Sequence, residues 1–237
     1  MFIKWSRIVQ KWILKCLQLP SHCLICRKST HTGLQLCLAC SPGLPWLATP
    51  LCRLSLPLFP DERVDIQALF DYRVPVSQWI TRLKFQGDLA FAYLMGDLMA
   101  MHLRLPSEKP DCIIPLPLHP ARQRQRGFNQ TLEMAKRVKK KSQIPIDATS
   151  CKKIRHTPAQ SAMNVTLRRH NIHPDFFSVS SSLKGKKVLI IEDVVTTGRT
   201  LQAFCIALKN AGVVCIDVWT CCRTEKKREK RRSAVFI

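Results

Sequence analysis

The thirteen residues from Val188 to Thr200 hold the densest chemistry in the chain. An apolar run, Val188 to Ile191, ends in two adjacent carboxylates, Glu192 and Asp193, and continues through Val194 and Val195 into Thr196-Thr197-Gly198-Arg199-Thr200. A buried strand followed by a hydroxyl- and glycine-rich loop and a helix start makes a phosphate cradle, because the first helical amides have no partners of their own. Gly198 allows close backbone approach and an unusual dihedral. The two carboxylates would repel phosphate, so they are expected to face sugar hydroxyls or a hydrated cation. Their place, at the carboxyl end of a parallel strand, is where open α/β sheets bind ligands. The plain alternative is a strand–turn–helix with a capping threonine.

A second group is built from sulfur. Cys23-x2-Cys26 and Cys37-x2-Cys40 form two knuckles that can turn four thiolates toward one point, which suits tetrahedral zinc. All four positions are protein ligands, so the expected metal is structural; redox chemistry is the competing use of CxxC. Cys52 starts a further knuckle that stops at Ser55. Cys16, Cys112, Cys151, Cys205, Cys215, Cys221 and Cys222 read as small buried apolar residues.

The elements around these groups are expected as follows. Residues 2–19 form a basic amphipathic helix, with Lys4, Arg7, Lys11 and Lys15 on one face. Val64 to Tyr72 alternates like a strand, and 76–103 is helical with a break at Gly87. Asp111 to Pro117 is a short apolar strand entering a proline-stiffened loop. Phe128 to Lys141 is a helix with a basic end, and 142–175 is mainly a mobile loop. Lys187 to Ile191 is a buried strand, Thr200 to Asn210 a helix stopped by Gly212, and Val213 to Thr220 another strand. Strands alternating with helices imply a parallel α/β sheet. The expected organisation is a basic helix over 1–19, a four-cysteine module over 20–60, an α/β domain over 61–224 and a basic tail over 225–237.

Composition narrows the partners. The chain of 237 residues is 46% hydrophobic and 23% charged, which excludes global disorder. Neither an apolar run long enough to span a membrane nor a secretory signal is found, so the twelve cysteines point to a reducing, cytoplasmic setting. The net charge is +22, and residues 111–237 carry 25 basic against 9 acidic residues. That field favours polyanions: nucleic acid, phosphorylated small molecules or an anionic membrane surface.

The 188–200 segment resembles the phosphoribosyl-pyrophosphate (PRPP) signature of the type I phosphoribosyltransferase superfamily. Ile114-Pro115-Leu116-Pro117-Leu118-His119-Pro120-Ala121-Arg122, with Arg126-Gly127-Phe128-Asn129-Gln130 after it, resembles the matching segment of the ComF family, which also carries an N-terminal cysteine-rich module. Thr157-Pro158-x-Gln160, with Arg168 and Asn171, and the upstream Leu83-Lys84-Phe85-x-Gly87 add to the likeness. It departs at Ser55 and at Met163 to Leu167.

The resemblance implies a type I phosphoribosyltransferase-like parallel sheet flanked by helices, with an N-terminal zinc-ribbon-like module. It assigns Glu192 and Asp193 to the ribose hydroxyls and Thr196, Thr197, Gly198 and Thr200 to the 5′-phosphate, within a binding segment that includes Val194, Val195 and Arg199. The loop after strand 111–116 is placed beside Glu192 as the pyrophosphate loop. Arg122 and Arg126 are expected to face the ligand there, since a guanidinium fork suits phosphate oxygens. Asn129 and Gln130 either fix this loop or cap the next helix; His119 and His156 are candidate acid–base groups.

The implied cofactors are structural Zn²⁺ and Mg²⁺ carried with PRPP. The implied role is in natural transformation, the uptake and handling of external DNA, with single-stranded DNA and a helicase-like competence protein as partners. An active phosphoribosyltransferase of nucleobase or nucleotide metabolism, with no DNA role, is the alternative. A third reading makes the cysteine module and helix 2–19 a docking platform in peripheral contact with a membrane, against the favoured alternative of a helix packed on its own domain.

Overall fold

The computed structural model describes residues 21–30, 33–56, 59–155 and 174–224. The expected helix over 2–19, the 225–237 tail, His156, and the Gln160, Arg168 and Asn171 motif lie outside these residues. The chain divides into two units between Leu44 and Pro45.

In the first unit, β1 (Ser21–His22) pairs antiparallel with β2 (Ser29–Thr30). The tight turn between them carries Cys23 and Cys26 and is closed by Cys23 N–H donating to Lys28 O and Arg27 N–H to Cys23 O. The cysteine module, expected to extend to residue 60, ends at Leu44. Residues 51–56 belong to the second unit, where backbone pairing with the following strand claims them.

The second unit opens with that hairpin, β3 (Leu51–Leu56) antiparallel to β4 (Phe59–Asp71). Two helices follow, α1 (Val76–Gln86) and α2 (Leu89–His102), separated at Gly87 as expected. Next come β5 (Cys112–Pro115), α3 (Pro120–Arg126) and α4 (Gln130–Ser142). The short strands β6 (Cys151–Lys153) and β7 (Phe177–Val179) pair with each other. The chain then forms β8 (Lys187–Val195), α5 (Arg199–Asn210) and β9 (Cys215–Arg223). The five-stranded sheet has the order β3-β4-β9-β8-β5, parallel apart from the outer β3. Among the described residues no helix is long and apolar enough to cross a membrane.

Two local differences from the sequence reading have simple causes. The single helix expected from Phe128 is preceded by the separate α3, whose polar sequence carries no apolar period; His119 caps it and Pro120 starts it. The 142–155 and 174–179 stretches are not only loop. Cys151 and Phe177 are buried, but three-residue strands are too short to show alternation. Ile146 also bridges in parallel to Ile113, which covers the open side of β5.

The layers position the ligand end. Val188 and Ile190 of β8 pack with Leu201, Phe204, Cys205 and Leu208 of α5 on one face. On the other face lie α1, α2 and α4. Helix α2 buries Phe91, Leu94, Met95, Leu98 and Met99 on one face and Gly96 and Asp97 beside α4, because it is sandwiched between sheet and α4, while Tyr93 and Met101 stay exposed. Each such side chain removed from water contributes about 1.5–3 kcal/mol. α4 is tied to α2 by Arg137, which donates to both oxygens of Asp97 at 3.0 and 2.7 Å. The chain thus leaves neighbouring β5 and β8 toward opposite faces, which opens a crevice at their carboxyl ends.

Candidate active site

Glu192 and Asp193 are 8% and 3% exposed, near the end of β8. Alternation along the strand sends them to different sides. Glu192 follows Val188 and Ile190 toward the α5 face, and Asp193 follows Leu189 and Ile191 toward the helical layer of α1 and α4. Asp193 is held there by three donors. Lys84 Nζ of α1 lies 2.6 Å from its Oδ2, Gln130 Nε2 of α4 lies 3.3 Å from the same oxygen, and the Val194 amide donates to its Oδ1 at 2.9 Å. Glu192 Oε1 accepts from the Asp193 amide at 3.2 Å.

This asymmetry separates the two acids electrostatically. Burial raises both, but Asp193 is brought below the usual aspartate range by the Lys84 ammonium and its hydrogen bonds. Glu192 stays well above the usual glutamate range, through burial and the charge of Asp193. Lys84 is three-quarters buried, which disfavours its charge, yet Asp193 and then Glu192 outweigh that cost and raise it. The Lys84 ammonium therefore favours the ionised form of Asp193, while burial beside that charge favours the protonated form of Glu192.

The loop after β5 reaches the same place. Leu116 N–H donates to Ile191 O, and Leu116 O accepts from Asn129 Nδ2 at 3.2 Å and from Thr131 Oγ1 at 2.9 Å. Asn129 Oδ1 also accepts from the Thr131 amide, so this residue both fixes the loop and caps α4. Gln130 does neither: while its amide nitrogen serves Asp193, its Oε1 accepts from Arg126 NH1 at 2.8 Å. Arg122 and Arg126 are half-buried and one turn apart on α3; Arg124 between them is exposed. Burial lowers Arg126, partly offset by Asp193. His119 is occupied as the α3 cap, its Nδ1 accepting from the Ala121 amide.

Past the acids, Val194 is half-buried and Val195 buried, while Thr196 and Thr197 are exposed on the loop and Gly198, Arg199 and Thr200 are half-buried at the start of α5. Gly198 has φ +74°, a conformation costly for any residue with a β-carbon, and its carbonyl accepts from Gln202 N–H at 2.7 Å. Thr224 N–H donates to Val195 O and braces the loop from β9. The first turn of α5 opens beside two exposed hydroxyls, the donor set a phosphate monoester needs.

Two cations at this site had no role in the sequence reading. Lys84 continues the row of Val76 and Ile80 on α1, so a lysine on a core-facing row was the available signal. Lys153 of β6 lies over the Phe177 ring at 5.6 Å, and burial, then Arg122, lower it while Glu192 raises it. Phe85, next to Lys84, is 79% exposed.

Magnesium does not fit the acids directly. Three donors already occupy Asp193, Lys84 among them, whereas a divalent ion seeks about six oxygens. An ion here would have to arrive on its ligand.

The four cysteines do fit a metal. The sulfurs of Cys23, Cys26, Cys37 and Cys40 lie within 4.8 Å of one another, and Cys26 and Cys37 are 3.7 Å apart. A tetrahedral Zn–S₄ centre with bonds of about 2.3 Å has edges of about 3.8 Å. Burial raises Cys23, but donors from Cys26, Cys37 and Ile25 bring it down to about 6, toward the thiolate a metal requires. Cys112, Cys151, Cys205, Cys221 and Cys222 of the second unit are buried and Cys215 half-buried.

Residues 124–237 match the phosphoribosyl transferase domain. The chain is 30% identical to the DNA utilization protein YhgH of Shigella flexneri, over 85% of this chain and 90% of that protein. It is 31% identical to competence protein F of Haemophilus influenzae, over 62% and 68% of the two chains. Competence protein ComFC of Streptococcus pneumoniae is 28% identical over 63% and 64%.

Proposed function

The chain belongs to the ComF family of type I phosphoribosyltransferases, and on that premise we propose that it binds PRPP with Mg²⁺ at the carboxyl ends of β5 and β8 and serves in the uptake and handling of external DNA. One observation carries the ligand: an ionised acid on β8, joined through Gln130 to Arg126, stands at the start of a hydroxyl-lined loop and helix. Asp193 and Glu192 take the ribose hydroxyls, and the loop from Thr196 to Thr200 takes the 5′-phosphate. Arg126 and Arg122 face the pyrophosphate, whose charge Mg²⁺ shields when bound. Positioning and charge stabilisation are what this transfer asks of a protein.

The DNA role rests on the named relatives and on charge. The half of the chain from 111 to 237 has a net charge of +16, suited to single-stranded DNA as a sequence-tolerant polyanion. Zn²⁺ in the four-cysteine cluster is structural in this reading. A cytoplasmic location and a helicase-like competence partner belong to the same proposal.

Calorimetry with PRPP and Mg²⁺, followed by a pyrophosphate-release screen against free bases and DNA fragments, tests the ligand and turnover together. Asp193→Asn is expected to abolish PRPP binding and leave single-stranded DNA affinity within about twofold. DNA affinity is expected to fall by about two to three decades over a several-fold rise in salt, as release of four or five counterions requires. A wild-type protein silent toward PRPP rules out the ligand reading, and salt-insensitive DNA binding the polyanion reading.

A further inference from the structure

Asp193 and its neighbour form a buried pair of acids, an arrangement that ordinarily recruits either a shared proton or a metal ion. Here a lysine is built in beside them, and it fixes which of the two acids keeps its charge. Lys84 crosses from α1, a helix outside the β5–α4 and β8–α5 connections that frame the crevice, and places its ammonium 2.6 Å from Asp193 Oδ2. Gln130 shares that oxygen and the Val194 amide takes the other. A carboxylate offers about four acceptor positions, so these donors leave Asp193 room for a hydroxyl but not for a cation with its hydration shell.

We propose that Lys84 is the resident counter-ion of the acid pair: it keeps Asp193 ionised as an acceptor for a sugar diol and keeps divalent cations off it. Diol recognition at this site is then independent of metal, and Mg²⁺ is read only through the phosphates it travels with. The sugar half of this inference rests on the PRPP reading; the exclusion of cations does not. Among the described residues, the other charged or titratable groups facing the pair are Arg126 on α3 and Cys221 and Cys222 on β9, with Arg122 and Lys153 set against Glu192 and Arg126.

The test uses the full chain and two probes: Mn²⁺ alone, followed by its spin resonance signal, and ribose 5-phosphate in chelator, followed by calorimetry. Wild type is expected to bind ribose 5-phosphate without metal, with an affinity that millimolar Mn²⁺ leaves unchanged. Lys84→Met is expected to bind Mn²⁺ at least tenfold more tightly than wild type, and Lys84→Met/Asp193→Asn to lose that gain, which separates this site from Mn²⁺ bound elsewhere. The same Lys84→Met protein should bind ribose 5-phosphate at least tenfold more weakly, with its pH profile moved to higher pH because the acids then hold a proton; Lys84→Arg should restore the wild-type profile. Unchanged Mn²⁺ affinity in Lys84→Met overturns the proposal. Should that variant not fold, a wild-type protein that needs Mn²⁺ to bind ribose 5-phosphate overturns it equally. Wild type that ignores ribose 5-phosphate removes the PRPP reading, and the Mn²⁺ comparison still decides the role of Lys84.

Discussion

Gly96 of α2 lies against the backbone of Met134 of α4 so closely that a β-carbon on Gly96 would stand 2.7 Å from the Met134 carbonyl oxygen and 2.8 Å from Cβ of Arg137. This contact sets how near α4 approaches the helical layer, and the first residue of α4 is Gln130, which serves Asp193. Gly96→Ala should therefore cost stability, although alanine is the better helix former. The overpacking penalty, about 1–3 kcal/mol, exceeds the helix gain of about 0.5–1 kcal/mol. Urea denaturation is expected to show a lower midpoint; an equal or higher one would mean the helices separate freely.

Glu192 gives a pH prediction with a definite sign. Its carboxyl titrates near the ordinary value, 4.5, when unfolded and well above it when folded. From about pH 4.5 upward the unfolded chain releases that proton and the folded chain does not, so stability falls with rising pH until the folded value is passed. Glu192→Gln removes this dependence. The difference in Tm between variant and wild type should grow from about pH 4.5 upward in the variant's favour; a constant offset contradicts a raised Glu192.

In the proposed reading Arg126 faces the pyrophosphate. Charge-assisted hydrogen bonds are worth about 1.5–3 kcal/mol, so Arg126→Ala should weaken PRPP binding by about ten- to a hundredfold. Lys would restore charge but not the fork that also reaches Gln130, and Arg126→Lys should recover only part of the loss. Full recovery in calorimetry would reduce this arginine to a point charge.

The cysteine cluster predicts one zinc per chain by elemental analysis. Cys37→Ser should release it, and the first unit should then become sensitive to proteolysis, while the five-stranded sheet keeps its far-ultraviolet signature because none of the four clustered cysteines lies in β3 to β9. Full zinc retention by Cys37→Ser would place the metal elsewhere.

Much of this was written in the residue pattern. The run from Val188 to Ile191 and the helix after Gly198 announce a buried strand and its successor because period and punctuation agree there. The pairing of β5 with β8 followed from the parallel sheet. Lys84 showed itself only as a motif position and a lysine on a core-facing row; its role depends on Asp193, over a hundred residues away, and no local pattern encodes that distance. Gln130 was similarly split between two local roles, whereas its actual work is a bridge between α3 and β8. The boundary at Leu44 was hidden because β3 earns its place by pairing with β4, not by its own composition.

Phe85 stands 79% exposed one residue past the lysine that grips Asp193. A side chain so placed turns outward while its neighbour turns inward, so a shift of the helix end that carries Lys84 would carry Phe85 with it. An environment-sensitive dye attached at this position becomes an optical reporter of occupancy, sensing the arrival of cargo through the helix end without itself entering the crevice.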